Sequence, residues 1–297
     1  MVCDTAHKCY SRSVPFASVV DTFDQLPTLG GAIDINVSLT DIPGYGHKPE
    51  EFMPLLADPV EVKKNHLLAE LPHEEFDRLM PHLNLVKLPL GKVLYESGDT
   101  LDYVYFPTTA IVSLLYMMEN GSTAEIGIVG NDGVLGIALF MGGNTTPNRA
   151  VIQSAGNAYK MKAKDLLDEF SRGGKFHNIL LRYTQALITQ ISQTAVCNRL
   201  HSVEQQLCRW LLLSHDRLDS DKLVMTHELI SNMLGVRREG VTLAAGKLMS
   251  RKLIKNNRGT MTILDRLGLE QACCECYDVV NDEYNRLLGR GMARTFA

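Results

Sequence analysis

The chain has 297 residues, 45% of them apolar and 22% charged, with a formal net charge of −4. That length accommodates two domains and an extension, and that balance is ordinary for a globular protein rather than a disordered one. The acidic total excludes a uniformly basic nucleic-acid coat, and no run of about 18 apolar residues marks a membrane span. The first residues, MVCDTAHKCY, lack the basic start and apolar core of a secretory leader, so a cytoplasmic location is expected, with the seven cysteines as free thiols.

Residues 1–60 read as an irregular acidic extension, broken by Pro15, Pro27, Pro43, Pro49, Pro54 and Pro59. From Asn65 to His82 an apolar stripe of Leu67, Leu68, Leu71, Phe76, Leu79 and Met80 predicts helix, with Pro72 starting a second short one. From Leu83 to Met161 the pattern changes to short strands, LNLVKL, KVLY, YVYF, AIVSLLYM, AEIGIV, GIALFM, RAVIQS and AYKM. The turns PLG, SGD, ENG, GNDG, GGN and AGN separate them. Strands at this spacing predict a small antiparallel barrel or β-roll, with Tyr95, Tyr103, Tyr105 and Phe106 in its core.

Helix returns from Lys162 to Leu213. Phe176 to Cys197 contains no proline or glycine and carries Ile179, Leu180, Tyr183, Leu187, Ile188 and Ile191 on a near-heptad seam. A single helix cannot bury such a seam alone. It either pairs with a second copy of the chain, which the sequence reading favours, or packs on the barrel of its own chain. A further helix, His201 to His215, turns Leu207, Trp210, Leu211 and Leu212 inward.

The stretch Thr226 to Leu248, THELISNMLGVRREGVTLAAGKL, predicts two short helices about a turn at Gly235. Thr226 suits a helix N-cap, and Leu229, Ile230, Met233 and Leu234 form the inner face of the first helix. Val241, Ala244, Ala245 and Leu248 form that of the second, leaving Arg237, Arg238, Glu239 and Thr242 outward. Arginine can donate two hydrogen bonds to a guanine edge and glutamate can accept from cytosine. In LIKNNRGTMTIL, two strands about Asn257-Arg258-Gly259 predict a wing whose basic tip reaches phosphate, as can Lys252 and Lys255. Lys247 and Asn257 complete the candidate DNA contacts. Between Lys222 and Arg266 nine basic residues face three acidic ones, a local net charge of +6 where a nucleic-acid contact needs it.

Taken together, this is an α+β chain: an N-terminal β-roll, residues 61–170; a long dimerisation helix, 171–200; and a C-terminal winged helix-turn-helix domain with a final helix, 201–297. That order resembles the Crp/Fnr (cyclic-AMP receptor protein) family over about Asn65 to Asp265, most closely at GVRREGV. The resemblance implies base reading by Arg238 and Glu239, and phosphate contacts by Thr226, His227 and Arg237. Where the family has a third reader, an arginine, this chain has Leu243, so a different operator is implied. It further implies a jelly-roll cyclic-nucleotide-binding-like sensor, a homodimer on palindromic double-stranded DNA, and RNA polymerase as a partner.

The sensor motif departs from the family's. A glutamate that holds the ribose hydroxyl should follow Gly136, but Ile137 stands there. Arg149 occupies the place of the family's phosphate-binding arginine, after a longer GGNTTPN turn. An isoleucine accepts no hydrogen bond, and leaving the ribose hydroxyl unmatched costs about 1–3 kcal/mol. Cyclic AMP is therefore not the expected ligand, and no cofactor is expected. Gly136 and Arg149 remain the candidate ligand residues. Arg149 either binds another anion or pairs with an acidic neighbour.

Cys3, His7 and Cys9 do not match the iron–sulfur spacing of the family's redox members. Cys273, Cys274 and Cys276 are read onto one amphipathic helix, Leu267 to Leu288, where neighbouring thiols point about 100° apart. Packing is the expectation there, and no metal site. No Ser/His/Asp triad, P-loop or carboxylate pair points to an enzyme. Two other readings stay open: a DNA-binding regulator without a ligand, and a cyclic-nucleotide-binding module whose C-terminal domain docks protein.

Overall fold

The computed structural model describes residues 57–289, so nearly all of the acidic extension, with Cys3, His7 and Cys9, lies outside the described residues. The first elements are three short helices, α1 (Pro59–Val62), α2 (His66–Ala69) and α3 (His73–Leu79). Pro72 is the N-cap of α3, as its fixed φ favours. Asn65 caps α2 and is fully buried, and its amide donates to the carbonyls of Pro107 and Gly133, both at 2.9 Å. One side chain thus both starts a helix and fastens it to the strands.

Seven strands follow: β1 (Asn84–Leu88), β2 (Val93–Tyr95), β3 (Tyr103–Pro107), β4 (Ile111–Met117), β5 (Thr123–Val129), β6 (Arg149–Ser154) and β7 (Gly156–Lys162). They form two antiparallel sheets, β1-β7-β3 and β2-β6-β4-β5. Val104 and Phe106 of β3 are completely buried while Tyr103 and Tyr105 are half-buried, the alternation expected of strands with one core face. The segment GIALFM is not a strand. Gly136 has φ +104°, outside the extended range, and the chain turns tightly there, with Leu139 N–H donating to Gly136 C=O and Met141 N–H to Ile137 C=O. A glycine that breaks extended backbone overrides the apolar pattern.

Helix α4 (Ala163–Ser171) leads into α5 (Gly174–Leu200), 27 residues long. The Glu75 carboxylate accepts from the N–H groups of Lys175 and Phe176, placing a negative charge at the α5 N-terminus. The seam read from the sequence is mostly intramolecular. Ile179, Leu180, Tyr183 and Leu187 are buried in their own chain, Ile191 is half-buried, and only Ile188 of that set is exposed. Ile188 instead belongs to an outward stripe with Leu181, Ala195, Val196 and Leu200. The seam packs partly on the β-roll, where Gln190 accepts from Ile128 N–H at 2.7 Å, and partly on the last helix of the chain.

The C-terminal part comprises α6 (Val203–His215), β8 (Lys222–Val224), α7 (His227–Leu234), α8 (Arg238–Ser250), β9 (Ile254–Asn257), β10 (Thr260–Ile263), α9 (Arg266–Ala272) and α10 (Cys276–Leu288). Ser202 and Gln205 form a reciprocal capping box at α6. The single C-terminal helix read over Leu267–Leu288 is broken at residues 273–275, where Cys273 takes an extended conformation. Helix α10 then runs along α5, with Gln190 donating to the Tyr284 hydroxyl at 3.0 Å and Tyr183 edge-on to Tyr284.

A buried polar network joins the β-roll to α6. The Trp210 indole donates to Glu125 at 2.8 Å, and Gln153 donates to Ser214 at 2.9 Å. Arg217 forms a bidentate pair with Asp132 at 3.0 and 2.6 Å, and both are buried. Burial pushes the Glu125 carboxyl up to about 7, against the opposing pull of its donors Ser113 and Trp210.

Candidate nucleic-acid interface

Helices α7 and α8 are held at their turn by local chemistry. The Thr226 side chain accepts from Leu229 N–H at 3.1 Å, a cap that stabilises a helix by about 1 kcal/mol. Gly235 closes α7 with φ +65° and ψ 31°, the left-handed conformation that glycine adopts without strain. Val236 packs against the core beyond it. On α8, Val241, Ala244, Ala245 and Leu248 are buried, so the opposite face must look outward.

Arg237 is the N-cap of α8, and the helix proper begins at Arg238. Arg237, Arg238, Glu239 and Thr242 are all exposed in the first turns. Leu243 stands on the same outward face with 70% of its surface exposed, far more than an apolar side chain on a packed helix needs. Behind the helix, β9 and β10 pair in register from Thr260↔Asn257 to Ile263↔Ile254, and β8 adds a third strand that the sequence pattern does not reveal. Its three residues, KLV, are too few for a periodicity to show. The tip of the wing is Arg258-Gly259, with φ +44° and +82°, the type I′ geometry that matches strand twist. Asn257, Arg258, Lys252 and Lys255 are exposed around it.

Two of the residues picked from the sequence have internal partners. His227 lies between α8 and the wing, its Nδ1 3.1 Å from Thr242 Oγ1 and its Nε2 2.7 Å from Asn256 Nδ2. Burial, and then the neighbouring Arg238 charge, lower its pKa. The neutral ring satisfies both contacts, with Nδ1–H donating to Thr242 and Nε2 accepting from Asn256. His227 therefore braces helix against wing, and Asn256 is a partner that sequence reasoning missed. Lys247 turns toward α6, 3.5 Å from Glu204, which also receives Arg251 at 3.2 Å. Lys247 thus lies on the flank of α8, away from Arg238 and Thr242.

The β-roll contains a cavity of about 280 Å³. Its walls are largely apolar, including Leu114, Val129, Leu135 and Ile137, with Leu187 and Ile191 supplied by α5. Gly136 lines it. Arg149 is elsewhere: its Nε pairs with Glu96 Oε2 at 3.1 Å, so the two candidate ligand residues do not converge on one anion site. Among the described residues no helix is long and apolar enough to cross a membrane.

Residues 85–172 match the cyclic nucleotide-binding domain, and residues 205–272 match the Crp-like helix-turn-helix domain. The chain belongs to the Crp/Fnr family. The Crp-like helix-turn-helix makes it a DNA-binding transcriptional regulator, with α7 and α8 inside the matched domain. Over 202 residues the chain is 23% identical to the global nitrogen regulator of Synechococcus elongatus, covering 62% of this chain and 90% of that protein. FixK2 from Bradyrhizobium japonicum has a similar fold, with a TM-score of 0.55 and 15% identity over 65% of this chain and 98% of that one. A CRP-family transcriptional regulator from Thermus thermophilus has a TM-score of 0.53 and 15% identity over 63% and 95%. The Crp/Fnr architecture is thus present from sensor to wing, while α10 lies beyond both matched domains.

Proposed function

We propose that the protein acts as a homodimer that reads a two-fold symmetric DNA site through α8, under the control of a signal other than cyclic AMP. The observation that carries this reading is the outward face of α8, where Arg238, Glu239, Thr242 and Leu243 are exposed together beside a basic wing. Arg238 and Glu239 read base edges. Leu243 meets a thymine methyl, an apolar contact that an arginine at this position would not make. Arg237, Thr226 and the wing residues Lys255, Asn257 and Arg258 contact phosphate, which fixes register without choosing sequence.

Dimerisation uses the outward stripe of α5, centred on Ile188, which places two recognition helices about one two-fold axis. RNA polymerase is the further partner, and the protein performs no catalysis. On the sensor side, Ile137 offers no acceptor to a ribose hydroxyl and Arg149 is committed to Glu96. The cavity suits an apolar molecule, and since Leu187 and Ile191 form part of its wall, an occupant would press on the dimer helix directly. Binding would then shift the population of domain orientations.

The test is binding of the full-length protein to duplex DNA across a salt series, with its oligomeric state followed by sedimentation. The reading expects a dimer whose affinity falls steeply with salt, and a monomer with weakened DNA binding for Ile188→Glu. Cyclic AMP should leave the melting temperature unchanged. Absence of duplex binding at low salt would instead favour a C-terminal domain that docks protein.

A further inference from the structure

Four side chains with metal-ligating atoms converge where the long helix ends. Cys197 lies in the last turn of α5, and His201 is its C-cap, four residues on and therefore on the same face. Cys274 lies in the break between α9 and α10, and Cys276 is the first residue of α10. The three sulfurs and one imidazole nitrogen all lie within 4.8 Å of one another. Cys197, Cys274 and Cys276 are buried and His201 is half-buried.

The spacing has the size of a coordination tetrahedron. With metal–sulfur bonds of about 2.3 Å and metal–nitrogen bonds of about 2.0–2.1 Å, the sulfur–sulfur edge is about 3.8 Å and the sulfur–nitrogen edge about 3.5 Å. Cys197 Sγ is 3.6 Å from Cys274 Sγ, and Cys276 Sγ is 3.5 Å from His201 Nδ1. A disulfide would need a separation of about 2.05 Å. Convergence on one point suits a single ion rather than a multi-iron cluster.

The surroundings fit as well. Glu275 Oε2 is 3.5 Å from His201 Nε2, on the side of the ring away from Cys276, which orients Nδ1 toward the sulfurs. The Gln206 amide donates to the His201 carbonyl at 2.9 Å and holds the helix end in place. Arg209 is buried nearby, its Nε without a hydrogen-bond partner among the described residues. A divalent ion with three thiolates and a neutral histidine carries one net negative charge, which the guanidinium balances.

We propose that Cys197, His201, Cys274 and Cys276 form a structural site for one thiophilic divalent cation, zinc by preference, that clasps the end of the long helix to the segment behind the wing. Four protein ligands leave no open position for substrate, so the role is structural. All four lie outside residues 85–172 and 205–272, in the linker between the two matched domains and in the segment after them. The clasp therefore acts at the junction through which the sensor addresses the DNA-binding domain. It stands on this geometry alone and not on any DNA-binding role for α8.

The test is the metal content of the full-length protein, purified under reducing conditions from zinc-replete cells. About one zinc per chain is expected. Protein produced with cobalt in place of zinc should show the intense visible bands and sulfur-to-metal charge transfer of a tetrahedral thiolate site. Cys276→Ser and Cys197→Ser should each lose the metal and this spectrum, while Cys208→Ser, which alters a thiol outside the cluster, should keep both. If a Ser variant fails to fold, the cobalt spectrum of the unaltered protein still decides. Wild-type protein without metal, a Cys197–Cys274 disulfide by mass spectrometry, or a folded Cys276→Ser that keeps full metal content would each overturn the proposal.

Discussion

The two halves of the molecule treat charge in opposite ways. On the outward face of α8 and on the wing, Arg237, Arg238, Lys255 and Arg258 stand exposed in water. In the sensor half, Arg149 pairs with Glu96, and Asp132 and Glu125 are buried against Arg217 and Trp210. Outward charge is available to a polyanion. The Asp132–Arg217 ion pair and the Trp210–Glu125 hydrogen bond, both buried, hold one half to the other. The β-roll is therefore bound to the end of α6 by buried polar groups, while Arg237, Arg238, Lys255 and Arg258 stay exposed on α8 and the wing.

Cutting the internal ties should have the largest effect. Asp132→Ala leaves the Arg217 guanidinium buried without its carboxylate, and a loss of about 3–5 kcal/mol is expected in chemical denaturation. A loss below about 1 kcal/mol, the range of an exposed pair, would mean that the pair does not hold the halves together. Glu125 gives a pH test of the same junction. Its folded carboxyl keeps its proton up to about pH 7, while an unfolded one releases it near 4.5. Between those values the native state binds more protons, so stability should fall as pH rises through that window, by on the order of 3 kcal/mol. Glu125→Gln should flatten this slope, measured as melting temperature against pH; an unchanged slope would remove Glu125 as its source.

On the outward side the effects are smaller and fall on binding rather than folding. Arg238→Ala should cost about 1–3 kcal/mol on the preferred duplex and relax selection at one base pair. A uniform loss on all sequences would make Arg238 a phosphate contact. Arg258→Ala should weaken every duplex alike and reduce the salt slope by about 1. A change in base preference would move the wing tip from phosphate to base reading.

The same contrast governs what is legible in the sequence. The helix-turn-helix can be read because its determinants are local: a Thr226 cap, a left-handed Gly235, an apolar face at helical spacing and a glycine at the wing tip. Most of the α5 seam is covered by its own chain rather than left for a partner, because periodicity shows that a face is apolar, not what covers it. Helix α10, far along the chain, covers much of α5, and the exposed stripe lies around Ile188 instead. GIALFM reads as a strand because apolar content outweighs the single turn-forming Gly136. Cys197 and Cys274 lie 77 positions apart, and one continuous helix through Cys273–Cys276 would lack the turn that brings them together. A histidine four residues after Cys197, and the spacing Cys-x-Cys at 274 and 276, are the available hints. His227 reads as a DNA contact from its place in the motif, whereas its bonds to Thr242 and Asn256 depend on tertiary packing.

Selection of bound sequences from a random duplex pool decides whether α8 reads a symmetric site, because it reports binding, symmetry and base choice together. An inverted repeat whose half-sites are one helical turn apart is expected, with a guanine that is no longer selected by Arg238→Ala and a thymine whose preference is lost in Leu243→Ala. Enrichment of no motif, or of a single asymmetric site unaffected by both substitutions, would contradict it.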